Sequence, residues 1–199
     1  MKKVLLTRSP ENSKELKDEL ISKGYEVIEE PLITFIPLHD ELEKLDPIID
    51  KYTLIITSNY SARLLASRYF DKELKCYVVG EVSAKILQHN GFKVLGLYPN
   101  VASLLENVPR GTKFLYPRGH YITHELNLRQ KEVIIYNTEY KERFSPSVVS
   151  LFKNHKIQAV TIYSLKTEEA FLNCVKNDSL EEFVKHVESL RASPLVAKQ

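Results

Sequence analysis

Short apolar runs alternate along this chain with stretches whose apolar residues recur every three or four positions. "KVLLT" (3–7) is one such run. Ser9-Pro10 follows it as an N-cap and first helical residue, and "ENSKELKDELISK" then puts Leu16, Leu20 and Ile21 on one helical face. Gly24 predicts the helix stop, and "YEVI" the next strand. "PLITFIPL" (31–38) predicts an extended segment with a proline near each end. "TLIITS", "CYVVG", "FKVLGL", "KFLYP", "EVIIYN" and "QAVTIYS" predict further strands, mostly followed by helical patterns. Strands alternating with helices predict α/β architecture built on parallel sheets.

The pattern also repeats. "KVLLTR" (3–8) matches "KFLYPR" (113–118) at an offset of 110, with Arg8 over Arg118. "LIITSNYSARLL" (54–65) matches "VTIYSLKTEEAF" (160–171) at an offset of 106, with Ser58 over Ser164. "GEVSAK" (80–85) matches "SPLVAK" (193–198) at an offset of 113. Near-equal offsets predict two related α/β halves of about 110 residues. The first copy continues past Lys85 through a helix, a strand and another helix. The second stops at Gln199, so the sequence reads either as truncated by about one βα unit or as having a naturally short second sheet.

Composition narrows the class. At 199 residues the chain holds one medium domain or two small ones. With 28 Lys+Arg against 26 Asp+Glu, the +2 balance gives no argument for a nucleic-acid partner. Cys76 and Cys174 are 98 positions apart and read as buried thiols of a reducing compartment. The N-terminus lacks a secretory h-region, and no run is long enough to span a membrane. The expectation is a cytoplasmic protein that engages neither membrane nor nucleic acid.

In parallel sheets the ligand site lies at the carboxyl ends of the strands, where helices begin. The loops gathered there are Thr7-Arg8-Ser9, Thr57-Ser58-Asn59, Gly80-Glu81-Val82-Ser83, Pro117-Arg118-Gly119 and Ser164. Their backbone N–H groups, hydroxyls and two arginines suit a ligand carrying several carboxylates or phosphates. Taken singly, each Ser or Asn reads first as a helix cap, and only the collection points to a ligand. His120 and His124 stand one helical turn apart without a third ligand, so no metal site is expected. G-x-S-x-G, Walker and G-x-G-x-x-G loops are all missing, and nothing implies a cofactor.

An ordered set of short stretches carries a resemblance. It comprises Thr7-Arg8, "GYEVIEEPLI" (24–33), "LIITSN" (54–59), "VVGEVSAKIL" (78–87), "SLL" (103–105), "LYPRG" (115–119), "VIIYNT" (133–138) and "YS" (163–164). The chain resembles the uroporphyrinogen-III synthase family across nearly its whole length. That resemblance implies two parallel-sheet, flavodoxin-like α/β domains joined by two antiparallel connecting strands near 31–37 and 133–140. Residues 1–35 with 139–199 would form a discontinuous domain, and 36–138 the other, with substrate held between them.

The implied activity is a cofactor-free, cyclising hydro-lyase of heme biosynthesis, acting as a monomer. Its substrate is hydroxymethylbilane, a linear tetrapyrrole with eight carboxylates. Loss of water, inversion of ring D through a spiro intermediate and closure give uroporphyrinogen III. Tyr136 matches the family's cleft tyrosine, implied to assist departure of the hydroxyl; a core tyrosine on a connecting strand is the alternative. Arg8, Thr57, Ser58, Asn59, Ser83, Arg118, Gly119 and Ser164 are implied substrate contacts. Two positions depart from the family pattern: Ser193 stands in place of a glycine, and Val196 in place of a hydrogen-bonding threonine. Two further readings stay open: a non-catalytic relative that binds a tetrapyrrole or a protein partner, and an unrelated phosphate- or nucleotide-binding α/β protein.

Overall fold

Ten strands and eight α-helices alternate along the residues that the computed structural model describes, 2–122 and 124–191. The chain runs β1 (Lys3–Leu6), α1 (Pro10–Ser22), β2 (Glu26–Glu29), β3 (Ile33–Pro37) and α2 (His39–Glu43). Next come β4 (Thr53–Ile56), α3 (Asn59–Arg68), β5 (Lys75–Val79), α4 (Glu81–His89), β6 (Lys93–Tyr98) and α5 (Val101–Asn107). The remainder is β7 (Phe114–Gly119), β8 (Gln130–Tyr140), α6 (Pro146–Lys153), β9 (Ile157–Ile162), α7 (Leu165–Asn177), α8 (Glu181–Val184) and β10 (Glu188–Arg191). Two compact units result, one from residues up to Thr34 together with those from Glu139 onward, the other Phe35–Thr138. The chain passes from one to the other within β3 and again within β8.

In the first unit the sheet order is β10-β9-β1-β2, and each pair is parallel. Successive residues of β1 serve opposite faces, as the pleat requires. Leu5 packs with Val148 and Phe152 of α6 and Phe171 of α7, whereas Val4 and Leu6 pack with Leu20 of α1. Helices therefore cover both faces, which explains why the strand reads as an unbroken apolar run. Burying Leu5, Leu6 and their partners removes apolar surface from water at roughly 25 cal/mol per Å².

One buried charge ties this unit together. Glu30 is 4 % exposed and follows β2. Its carboxylate accepts from the Ser145 N–H at 2.7 Å and the Ser145 hydroxyl at 3.0 Å, and pairs with Lys141 Nζ at 2.8 Å. Ser145 is the N-cap of α6, so the anion also faces the positive end of that helix. Glu30→Gln keeps the shape and removes the charge; we expect about 1–3 kcal/mol lost in urea denaturation. An unchanged midpoint would show that this carboxylate contributes nothing to stability.

The second unit holds the order β3-β8-β7-β4-β5-β6. Leu54 and Ile56 pack with Ala62 and Leu65 of α3 and with Ala84 and Leu87 of α4. Ile55 points to the other face, against Leu104 of α5. Pro117 in β7 is unexpected, because a central strand has no place for a residue without an N–H. The hydrogen bonds explain it. Lys113 O accepts from Thr53 on the β4 side, while Phe114 N donates to Arg129 on the β8 side. By alternation, the missing N–H of Pro117 lies on the β4 side. There β7 pairs β4 only at Thr53↔Phe114 and Leu54↔Leu115, then parts from it. Pairing with β8 continues to Gly119.

The sequence repeat acquires a topological meaning. Its matched runs are β1 with β7 and β4 with β9, and these are neighbours in their sheets: β9 beside β1, and β4 beside β7. The order β10-β9-β1-β2 thus corresponds to β5-β4-β7-β8. Each sheet combines the first part of one repeat with the last part of the other. The third match, at 193–198, and with it Ser193 and Val196, lies outside the described residues.

Candidate functional site

Strand order reverses between β4 and β7. From β4 the chain steps outward through β5 to β6, and then returns to β7 on the other side of β4. Such a switch point is where open α/β sheets bind ligands, at the carboxyl ends of the strands. A pocket of about 150 Å³ lies there, walled by Thr57, Ser58, Tyr116, Arg118, Gly119 and Tyr136. The early parting of β7 from β4 places it at this gap.

The turn after β4 sets two adjacent hydroxyls against two phenols. Thr57 Oγ1 lies 2.8 Å from Tyr116 Oη, and Ser58 Oγ lies 2.9 Å from Tyr136 Oη. Ser58 is also the N-cap of α3, accepting from the N–H of Tyr60 at 3.2 Å and of Ser61 at 3.4 Å. The cap is the bland reading of this serine, and it is correct, but it coexists with the phenol contact. Burial raises the Tyr116 pKa, against smaller opposing effects of the Thr57 hydrogen bond and the Arg118 charge. Tyr116 therefore stays protonated at neutral pH. The Tyr136 ring is held edge-on by Tyr60 and Phe35, with centroids 4.9 and 5.5 Å away.

Arg118 is largely engaged. Its Nε donates to Glu132 at 2.6 Å, and Nη1 donates to the carbonyls of Gly119 and His120 at 2.9 and 3.1 Å. Glu132 is held below the ordinary carboxylate range by the Gln130 amide and by Arg118. The arginine thus fastens β7 to β8 at the pocket wall with its charge already paired. Ser83 is fully buried, and its hydroxyl donates to Asn59 Oδ1 at 2.6 Å. That bond turns the Asn59 amide NH₂ outward at the start of α3.

The remaining two residues lie in the other unit, at its own switch point between β1 and β9. Ser164 caps α7 through the Thr167 N–H at 3.2 Å. The Arg8 guanidinium lies 4.9 Å over the Tyr163 ring. Arg8 is exposed, and among the described residues no carboxylate pairs with it. Beneath it, Thr7 joins β1 to β9 through the Thr161 backbone carbonyl.

Of the residues singled out in the sequence, Thr57, Ser58, Arg118, Gly119 and Tyr136 share one pocket, while Asn59 and Ser83 form a pair beside it. Sequence reasoning missed Tyr116 and Tyr163. Each sits inside an apolar strand run and reads there as core. Among the described residues, no three His, Cys, Asp or Glu side chains converge as metal ligands. No described helix is long and apolar enough to cross a membrane.

Comparison with known proteins identifies the family. The family model described as uroporphyrinogen-III synthase HemD matches residues 14–199. An uncharacterized protein of Rickettsia prowazekii (strain Madrid E) is 30% identical over 159 residues, covering 77% of this chain. The chain spans only 56% of that relative's length. In fold, the chain is similar to a uroporphyrinogen III synthase variant from the extremely thermophilic bacterium Thermus thermophilus. The TM-score is 0.59 at 14% identity, covering 96% of this chain and 84% of that one. With a family model matching most of its length, the chain belongs to the uroporphyrinogen-III synthase family.

Proposed function

We propose that this chain converts hydroxymethylbilane to uroporphyrinogen III and water. The observation that carries the reading is the Tyr136 phenol, fixed on Ser58 at the wall of the switch-point pocket. Tyr136 donates a hydrogen bond to the departing hydroxyl oxygen, lowering the barrier to its loss as water. The substituted α-carbon of ring D attacks the exocyclic methylene of the resulting azafulvene to form the spiro intermediate, from which ring D inverts before closure. The proton given to the leaving oxygen is balanced by the one lost from the pyrrole carbon at closure. The conversion is redox-neutral, so it asks for no redox cofactor. Because the free substrate closes to the uninverted isomer, the protein must hold a fold of the bilane that the chain seldom adopts alone.

Carboxylates of the substrate are taken by the Thr57 hydroxyl, the Asn59 amide NH₂ and the backbone N–H groups of Ser58 and Asn59 where α3 begins. Arg8 is the stronger cation, because Arg118 is already paired with Glu132. The two units act as domains, and β3 and β8 are their antiparallel connecting strands. Two hydrogen bonds support that direction, Leu38 N to Ile135 O and Lys141 N to Leu32 O, both 2.9 Å: as one residue number rises the other falls.

Arg8→Gln is expected to raise KM about tenfold with kcat nearly unchanged, since a charge-assisted hydrogen bond contributes about 1.5–3 kcal/mol. A change in kcat alone would remove Arg8 from binding. The reading as a whole is tested by titrating uroporphyrin III into nitrogen-15-labelled protein. Amide shifts are expected at 57–59 and at 118–119. Shifts confined to the opposite ends of the strands would reject the site.

A further inference from the structure

Position 119 has no side chain for a reason that lies in the pocket. A β-carbon there would meet Tyr136 Cζ at 2.5 Å, Cε2 at 2.6 Å and Oη at 2.8 Å. Carbon atoms in good contact lie about 3.5–4.0 Å apart. Gly119 is not among the glycines with positive φ, so its backbone conformation alone would admit other residues. The neighbouring ring is what excludes them.

That ring has little room to yield. Tyr136 is 7 % exposed, with Tyr60 and Phe35 edge-on around it. Its hydroxyl rests on Ser58 Oγ, and Ser58 is itself fixed as the cap of α3. Because the Ser58 oxygen receives the Tyr60 and Ser61 N–H groups, its own proton is the one to give to the phenol oxygen.

We propose that Gly119 is a positioning residue: by leaving its side-chain space empty, it lets the Tyr136 ring lie against β7 and sets the phenol on Ser58. Its catalytic consequence rests on Tyr136 being the proton donor, whereas the placement itself does not. An added methyl at 119 displaces the phenol, and it acts on the reaction only through that displacement.

Carbon-13 at tyrosine Cζ separates the two levels. The chain has eleven tyrosines, and Tyr136→Phe identifies the signal of Tyr136. Gly119→Ala is expected to move that signal, to lower kcat for isomer III about tenfold with KM unchanged, and to add nothing in the Tyr136→Phe background. An unmoved Tyr136 signal, or a double variant slower by the product of both single effects, overturns the proposal. If Tyr136→Phe is as active as the parent while Gly119→Ala still moves the signal, the donor reading falls and the positioning stands. Should Gly119→Ala fail to fold, Ser58→Ala removes the phenol's partner without adding volume. It is expected to move the same signal, and an unmoved signal contradicts the pairing on which the proposal stands.

Discussion

Tyr136→Phe is expected to slow formation of uroporphyrinogen III about a hundredfold, at the lower end of what a positioned proton donor contributes. Only one oxygen is lost, and the ring keeps its places against Tyr60 and Phe35. Ser58 keeps both cap hydrogen bonds from α3. Stability should therefore change by about 1 kcal/mol or less, the worth of one hydrogen bond. The same variant should shift product toward isomer I, because unassisted closure then competes better. A rate equal to the parent's would place the leaving-group contact elsewhere in the pocket. Tyr116 would be the next phenol to examine, held on Thr57 by the same turn.

The largest expected effect on stability is Phe152→Ala. Phe152 is 1 % exposed and sits with Phe144 and Phe171, at ring centroid distances of 5.3 and 6.3 Å. It carries α6 onto the face of β1 that Leu5 presents, together with Val148 from the same helix. Removing a buried aromatic costs about 3–5 kcal/mol, partly as lost transfer energy and partly as the cavity left behind. That is a large share of the roughly 5–15 kcal/mol that typically holds a folded domain. Urea unfolding should show the loss in the unit containing the amino terminus. Should the second unit unfold separately, its own transition should stay where it was. A loss below about 1 kcal/mol would mean that the trio is not a packed cluster.

The strands of both sheet centres were legible because helices cover both faces and leave Val4, Leu5 and Leu6, or Leu54, Ile55 and Ile56, uniformly apolar. The edge strand β10 was not. "ESLR" pairs only with β9 among the described residues and carries no apolar run. β8 extends several residues beyond its apolar centre at both ends, where Lys131, Glu132, Glu139 and Tyr140 are exposed. The repeat was visible as matched residues, but its exchange of halves between two sheets is a fact of strand pairing alone. At the site, the loops at strand ends were found by the general rule for parallel sheets. Which side chains meet there was not, because Ser58 and Tyr136 are 78 positions apart and Asn59 and Ser83 are 24 apart. Gly119 could be quoted from "LYPRG", yet its reason is a ring on the next strand. Arg118 and Arg8 looked equivalent in the repeat. Their difference comes from Glu132 on β8, which has no counterpart beside Arg8 among the described residues.

The most direct measurement is the isomer composition formed from freshly prepared hydroxymethylbilane in the presence of this chain. Uroporphyrinogen III should exceed isomer I and appear faster than the bilane closes unaided. Isomer I alone, formed at the spontaneous rate, would contradict the claim that this pocket directs the inversion of ring D.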